Sequence, residues 1–270
     1  MRTCTLNKIT IGGEAPVRLM GVINCSPESF YSDSFVPVTS VHERAVEMVE
    51  QGADLIDLGA RSTAPNTQPI SGKEEGDRME AALRELDGSG ITISVDTMHP
   101  GVLDICLKHE IHAVNDISGL LSPVYAGKVA AAGLPLFVMA AKNQPGDAAG
   151  VDATLSALAT VMQRCEKSGI GQYVLDPGVG VWTPLRSVED DWNLCRRFGE
   201  FRRFDRPLLA AVSRKTFIGD LLGREPEDRL PGTLAVTMML LGKGVSVVRA
   251  HDIRETRDII RVYERMVQGQ

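Results

Sequence analysis

The sequence predicts one α/β domain, spanning residues 1–270, that folds as a (β/α)8 TIM barrel. A length of 270 residues suits one large domain of this kind. Short apolar runs rich in β-forming residues alternate eight times with longer helical patterns. A glycine-rich phosphate loop after the first strand would favour an open, doubly wound sheet, but the segment NCSP (24–27) stands there instead. Eight consecutive βα units without that loop are best satisfied by a closed parallel barrel.

The predicted strands are nearly continuous apolar runs, as expected for parallel strands that are covered on both faces. In chain order they are RLMGVIN (18–24), LIDLGA (55–60), TISVDT (92–97), AVNDIS (113–118), PLFVMA (135–140), YVLDPG (173–178), PLLAAVS (207–213) and VSVVRAH (245–251). No internal repeat, low-complexity tract or linker interrupts the alternation, which supports a single unit.

Helical patterns fill the gaps between the predicted strands. Apolar faces at helical spacing comprise Val41, Ala45, Met48 and Val49 near the start, and Ile253, Thr256, Ile260 and Tyr263 near the end. Ser40, Ser71 and Asp252 each precede a glutamate by three residues, and this spacing predicts helix N-caps. Glycines stand where helices are expected to end, at Gly52, Gly133 and Gly169.

The charge and the cysteines exclude several classes of protein. A net charge of −6 argues against bulk binding to nucleic acid or to an anionic membrane surface. Aromatic residues make up only 5%, so a surface that stacks nucleic-acid bases is not expected. No apolar run reaches the length of a membrane span, and the start lacks the apolar core of a signal peptide. Five scattered cysteines without a C-x-x-C pair predict neither a disulfide framework nor a zinc site, and they favour a reducing cytoplasm.

Polar side chains recur where the predicted strands end. They are Asn24, Thr63, Asp96, Asn115, Asp176, Lys215, Arg249 and His251. Taken singly, each has a structural explanation: Asp96 and Asp252 could cap helices, and His251 could be a hydrogen-bonded core histidine. In a β/α barrel, however, the carboxyl ends of all strands converge on one rim, where catalytic residues gather. Folding alone does not require this set, so the sequence predicts an active site on that rim.

The residue types in this set indicate the kind of ligand. Two carboxylates and an amide, from Asp96, Asp176 and Asn115, suit a flat heterocycle rich in N–H donors, such as a pterin or a purine. Lys215 could reach a ring carbonyl or a ring nitrogen.

A second group of strand-end residues predicts an anion pocket. Arg249 and His251 are expected beside Asn24, and an arginine supplies a fork of donors for phosphate oxygens. A divalent metal could bind there, but the single amide oxygen of Asn24 is a small ligand set. Mg²⁺ would therefore rely on phosphate oxygens and water.

Seven separated motifs resemble those of the dihydropteroate synthase family and occur in the family's order. They are MGVINCSPESF (20–30), LGARSTAP (58–65), SVDT (94–97), NDIS (115–118), LDPG (175–178), SRKTFIG (213–219) and VRAHDIRET (248–256). The similarity extends over nearly the whole chain, from Leu19 to Glu264. Several motifs in the right order are far more specific than any one of them.

The resemblance implies a reaction and a set of pterin-binding residues. Family members condense a dihydropterin methyl diphosphate with 4-aminobenzoate and release pyrophosphate. By position in the motifs, the pterin-binding set is Asp96, Asn115, Asp176 and Lys215, to which we add Met139. The family mechanism resembles ionisation before attack, so the expected work of the catalytic residues Asp96, Lys215 and Asn24 is electrostatic.

The resemblance also assigns residues to the diphosphate and to the second substrate. The expected anion-binding set is Asn24, Thr63, Arg249 and His251, and Asn24 also matches the residue that helps to hold Mg²⁺. The expected second-substrate set is Phe30, Thr63, Pro65 and Thr216. Phe30, Thr63 and Pro65 belong to two mobile loops in the family, and Thr216 replaces a serine near the aminobenzoate carboxylate. A homodimer is implied in the same way.

Three departures from the family motifs fall in the loops. The usual S-T-R-P reads STAP (62–65), so Ala64 replaces the arginine, although Arg61 stands just before this motif. The usual F-S-D-G-G reads FYSDS (30–34), which ends on Ser34. The usual D-P-G-x-G-F-x-K ends as VWT (181–183), without its aromatic in place and with Thr183 instead of its lysine. These changes leave the pterin-binding set, which we call the pterin floor, intact. They predict altered loops around the amine and weak turnover with plain 4-aminobenzoate.

Two other functions share part of this pattern. A pterin-dependent methyltransferase that acts with a corrinoid protein has the same aspartate and asparagine floor. Such an enzyme needs neither the N-x-S-P-E-S-F loop nor the R-x-H-D pair, and both are present here. A non-catalytic pterin-binding homologue is the third alternative, because the loop arginine is missing.

Overall fold

A computed structural model of the chain describes residues 1–27, 35–62 and 70–268. In chain order its strands are β1 (Thr3–Leu6), β2 (Ile9–Gly12), β3 (Arg18–Asn24), β4 (Leu55–Gly59), β5 (Ile93–Asp96), β6 (Ala113–Asp116), β7 (Leu136–Met139), β8 (Tyr173–Asp176), β9 (Leu209–Ala210) and β10 (Val247–Ala250). Eight of them, β3 to β10, form one parallel sheet in the order β8-β7-β6-β5-β4-β3-β10-β9. Its two ends meet where the Leu175 N–H donates to the Pro207 carbonyl at 2.9 Å, so the sheet is a nearly closed barrel. The predicted barrel and its eight strands are confirmed, although the seventh strand is shorter than predicted.

Helices follow the strands and cover the outside of the barrel. They are α1 (Val41–Glu50), α2 (Gly72–Leu86), α3 (Pro100–Cys106), α4 (Pro123–Ala132), α5 (Gly150–Lys167), α6 (Val188–Arg196), α7 (Thr216–Leu222), α8 (Leu230–Leu241) and α9 (Ile253–Gln268). Short 3₁₀ turns cover Val38–Ser40, Phe198–Phe204 and Pro226–Asp228. Over the described ranges, none of the helices combines the length and the apolar character that crossing a bilayer requires.

The helix caps agree only partly with the sequence. The Ser71 hydroxyl accepts the Glu74 N–H at 3.1 Å, as predicted. Ser40 makes no side-chain cap bond, so that prediction is wrong. The Asp252 carboxylate instead binds Arg214 through two hydrogen bonds of 2.6 and 2.9 Å, because a guanidinium is a stronger partner than a backbone N–H. Gly133 ends α4 in the left-handed conformation, with φ +65°.

The inside of the barrel consists of an apolar layer and a polar layer. The apolar layer is Met20, Leu55, Ala113, Phe137, Val174, Leu209 and Val247. Side chains alternate across a strand, so the residue two positions later faces the same interior. In β4, β6, β8 and β10 that residue is polar: it is Asp57, Asn115, Asp176 and Arg249, respectively. In these four strands, a step of two residues therefore separates the packed apolar layer from the polar layer.

A β-hairpin that the sequence analysis did not predict packs against the apolar layer. β1 and β2 pair antiparallel through a turn at Asn7, which has φ +50°. Cys4, Leu6 and Ile11 join the same buried cluster as the apolar layer of the barrel. The hairpin was missed because TCTL and ITIG are short and alternate polar with apolar residues, unlike the continuous runs of the barrel strands.

Candidate active site

The carboxyl ends of the strands bring most of the predicted site residues together. Asn24, Asp96, Met139 and Asp176 are the last residues of their strands, and Asn115 is the next to last residue of β6. Lys215 and His251 follow β9 and β10. This shared rim is the position that the barrel prediction required.

Asp57 ties several strands of the rim together, and the sequence analysis missed it. Its carboxylate is fully buried. Oδ2 accepts hydrogen bonds from Nδ2 of Asn115 at 2.9 Å and from Nε of Arg249 at 2.7 Å. Nη2 of Arg249 donates to Oδ2 of Asp96 at 3.0 Å. Because Asp57 lies inside a predicted strand, the search at strand ends passed over it; its inward position two residues after Leu55 was the available signal.

Burial changes the acidity of the floor carboxylates. Desolvation raises the pKa of Asp96 to about 7; Asp57 adds to the rise, and Arg249 opposes it. Burial also raises the pKa of Asp176, while nearby Lys215 lowers it. Asp176 in addition accepts the Gly178 N–H at 2.7 Å. The floor therefore holds acceptor groups in a desolvated setting, where a matching donor on a ligand has a large effect.

A left-handed backbone residue delivers Lys215 to the floor. Arg214 has φ +56°, which costs energy for a side chain of this kind. Its guanidinium offsets that cost by binding Asp252 and by donating to the carbonyls of Pro226 and Glu227 at 2.8 and 2.6 Å. The ammonium of Lys215 donates to the Val179 carbonyl. Burial lowers the pKa of Lys215 to about 8, against the opposing effect of Asp176.

The ring of Trp182 stands beside Lys215, although the family's own aromatic position in this loop is Val181. The ammonium lies 5.2 Å from the ring centroid, within cation–π range. The indole N–H donates to the Gly178 carbonyl at 3.0 Å. Trp182 lies one residue beyond the family's aromatic position, so motif alignment alone did not place its ring.

A buried ion pair also contacts the loop that follows β8. Asp191 Oδ1 accepts the Gly180 N–H at 2.7 Å and Nη2 of Arg186 at 3.1 Å. Both side chains are almost completely buried. The pair holds the backbone that presents the Val179 carbonyl to Lys215.

Two residues of the predicted anion group, Arg249 and His251, make contacts within the protein. The Arg249 guanidinium contacts Asp57 and Asp96, so it is anchored to the floor carboxylates, and its role toward an anion stays a prediction. Nδ1 of His251 lies 2.9 Å from the Ser213 hydroxyl, and burial, with Arg249 nearby, lowers the pKa of His251 to about 4. That imidazole is neutral near pH 7, so it offers hydrogen bonds to an anion rather than charge.

The second-substrate residues are only partly within the described ranges. Phe30, Thr63 and Pro65, as well as the departures Ser34 and Ala64, lie outside the described residues. Thr216 is the exposed first residue of α7. Thr183 is a half-buried residue of the loop after β8.

Arg61 faces an acid of α2. Its Nε lies 3.7 Å from Oε2 of the buried Glu75. Glu75 also accepts the Thr97 hydroxyl at 2.6 Å and lies 2.7 Å from Nδ1 of His99. Arg61 lowers the pKa of Asp96, so it stands near the floor. Whether Arg61 replaces the missing loop arginine stays an open question of the sequence analysis.

These features define a class of protein: a parallel β/α barrel whose rim presents carboxylate and amide acceptors together with one lysine and one arginine. The family described as pterin binding enzyme matches residues 20–251. A type-3 dihydropteroate synthase from Escherichia coli is 31% identical over 91% of this chain and 97% of its own length. The dihydropteroate synthase of Escherichia coli K12 is 33% identical over 91% of this chain and 90% of its own.

Solved structures agree with the sequence relatives. A Yersinia pestis dihydropteroate synthase in a sulfonamide drug complex superposes with a TM-score of 0.89 at 28% identity, and each chain is covered over 100%. A Coxiella burnetii dihydropteroate synthase in complex with pteroic acid gives 0.87 at 28% identity, with 99% of each chain covered. The chain belongs to the pterin-binding enzyme family, as a transferase of the dihydropteroate synthase type.

Proposed function

We propose that this chain condenses 6-hydroxymethyl-7,8-dihydropterin diphosphate with 4-aminobenzoate, or with a modified aminobenzoate, and releases pyrophosphate in the synthesis of folate or a related pterin cofactor. The observation that carries the proposal is the linked floor of Asp57, Asp96, Asn115 and Arg249. A structural relative with a similar barrel was solved with pteroic acid, a pterin joined to aminobenzoate. The curated relatives named above carry the same activity in their names, which favours a synthase over a corrinoid-dependent methyltransferase.

The floor residues have distinct tasks in this proposal. Asp96, Asn115 and Asp176 accept ring N–H groups, with Met139 in contact with the loop after β8 at Gly178. Lys215 and Trp182 lie on the other side of the pterin ring. Positive charge that develops on the pterin as diphosphate leaves is stabilised by the Asp96 carboxylate.

Mg²⁺ fits the diphosphate end of the site only with help from the substrate. The Asn24 amide oxygen accepts the Ser26 N–H at 3.0 Å and keeps a second lone pair for a metal. Among the described residues, no three His, Cys, Asp or Glu side chains are grouped to hold a metal. Bound Mg²⁺ would neutralise charge on the leaving diphosphate, with phosphate oxygens and water as its other ligands. Thr63, Arg249 and His251 would hold the same group.

The proposal extends to the surroundings of the enzyme. We infer a homodimer from the resemblance to the family. All five cysteines are buried and none forms a disulfide, which supports a cytoplasmic setting. A small anionic substrate and an amine, rather than nucleic acid or membrane, are the proposed partners.

Pyrophosphate release from the dihydropterin diphosphate, measured with and without 4-aminobenzoate, tests the proposal. Release that depends on the amine at about 1 per second or faster would confirm an ordinary synthase and refute the expectation of weak turnover. Release only with a modified aminobenzoate would confirm the changed acceptor. Asp176→Asn should weaken pterin binding by about 1–3 kcal/mol, because ring donors lose a desolvated acceptor. Unchanged affinity in that variant, by calorimetry, would remove Asp176 from the pterin floor.

A further inference from the structure

Asp57 has a completely buried carboxylate, and the family motifs give this residue no part in ligand binding. It receives hydrogen bonds from two other strands, through Asn115 of β6 and Arg249 of β10. Both donor atoms meet at Oδ2, while Oδ1 is buried without a hydrogen-bond partner in the described part of the chain. Burial of a charged carboxylate costs free energy, so we expect Asp57 to have a role beyond packing.

The chemistry of the carboxylate fixes the orientation of its neighbours. The Asp57 carboxylate pairs with the Arg249 guanidinium at 2.7 Å, and carboxylate oxygens accept hydrogen bonds. Asn115 must therefore turn its amino group toward Asp57, and its carbonyl oxygen is the atom left for a ligand. Arg249 is fixed in the same way, since Nε is used by Asp57 and Nη2 by Asp96.

We propose that Asp57 is a positioning residue that makes Asn115 a hydrogen-bond acceptor in the pterin floor. The consequence is selection for a ring edge that carries N–H donors. A 2-amino-4-oxopteridine presents more donors on that edge than a 2,4-dioxopteridine, which has an oxygen in place of the amino group. The proposal deepens the proposed function, on which it rests for the pteridine ligand.

The test compares the affinities of the intact protein for pterin and for lumazine, the 2,4-dioxo analogue, by calorimetry. The wild-type chain should prefer pterin. In Asp57→Ala the Asn115 amide can rotate and present either end, so the preference should fall about ten- to a hundredfold. Asp116→Ala is the matched control, because Asp116 is equally buried on β6 but accepts the backbone N–H groups of Ser118 and Leu120. In that control the preference should stay unchanged.

An exchange of the two side chains keeps the test decisive if Asp57→Ala does not fold. Asn115→Asp alone sets two carboxylates against each other and should lose pterin affinity. In Asp57→Asn combined with Asn115→Asp, the new amide donates to the new carboxylate, whose other oxygen again faces the ligand. Pterin affinity should recover about tenfold over Asn115→Asp, and the preference for pterin should return.

Three results would overturn the inference. They are an unchanged preference in folded Asp57→Ala, equal loss of preference in the Asp116 control, and an exchanged pair that binds no better than Asn115→Asp. A wild-type chain that binds neither pteridine would overturn the proposed function together with this inference. Absence of pyrophosphate release with a normal pterin preference would count against the proposed function alone.

Discussion

The two layers inside the barrel use the same strands for opposite purposes. At one level Leu55, Ala113 and Val247 pack against each other and against the N-terminal hairpin. Two residues later the same strands present Asp57, Asn115 and Arg249, which form hydrogen bonds and ion pairs. The first layer removes apolar surface from water, and the second holds charged groups that are buried or half-buried.

This difference explains where the fold gains stability and where it gives some of it up. Apolar burial contributes about 25 cal/mol per Å² and needs no partner of exact geometry. Buried charges cost desolvation that their partners only partly return, and the raised pKa of Asp96 and Asp176 reports this cost. The comparison predicts that changes in the apolar layer act mainly on stability, and changes in the polar layer mainly on binding.

Removal of the largest side chain of the apolar layer should have the largest effect on stability. Phe137 is 1% exposed and belongs to the same buried cluster as the hairpin residues. Phe137→Ala should lower the free energy of unfolding by about 3–5 kcal/mol, because it loses burial and leaves a cavity. Urea unfolding measures this change.

The control for this prediction is pterin affinity, measured well below the unfolding transition. It should stay within a few fold of the wild type, since the polar layer is unchanged. Loss of affinity comparable to the loss of stability would show that the two layers are not separable.

The sequence predicts the apolar layer and most of the polar layer for the same physical reason. A strand buried on both faces is apolar over its length, so polar residues at its end stand out, as Asp96 and Asp176 do. Asp57 was harder to find, because it lies within the run and only the inward alternation marks it. Trp182 and the ion pair of Arg186 with Asp191 depend on how a loop folds back, which spacing along the chain does not determine.

The pH dependence of the polar layer should separate its effect on stability from its effect on pterin binding. Asp96, with a pKa of about 7, faces Asp57 and Glu75, which raise that pKa, and Arg249 and Arg61, which lower it. A carboxyl whose pKa is higher in the folded state is protonated there while the unfolded chain is ionised. Stability should therefore fall as pH rises through about 7, with a slope of up to about 1.4 kcal/mol per pH unit.

Binding should change in the opposite direction over the same pH window. Ring N–H donors bind an ionised carboxylate more strongly than a protonated carboxyl, so pterin affinity should rise as pH passes about 7. Asp96→Asn should remove the contribution of this residue to both slopes, measured by thermal unfolding and by calorimetry from pH 5 to about 8.5. Slopes of the same sign for stability and affinity would contradict the assignment of this pKa to Asp96.

The smallest expected effect lies outside the barrel, at the start of a helix that supports the rim. Ser71 caps α2, whose first turn carries Glu75, and Glu75 in turn holds Thr97 beside Asp96. Ser71→Ala should lower the free energy of unfolding by about 1 kcal/mol, the usual value of a lost N-cap bond. Ser40→Ala is the matched control, because Ser40 precedes α1 but makes no cap bond, and its effect should be close to zero. If both substitutions lower the free energy of unfolding by the same amount, the loss reflects general serine solvation, and the Ser71 cap does not support the rim. If Ser71→Ala also weakens pterin binding a few fold while Ser40→Ala does not, the polar layer depends on this outer helix as well as on its own strands.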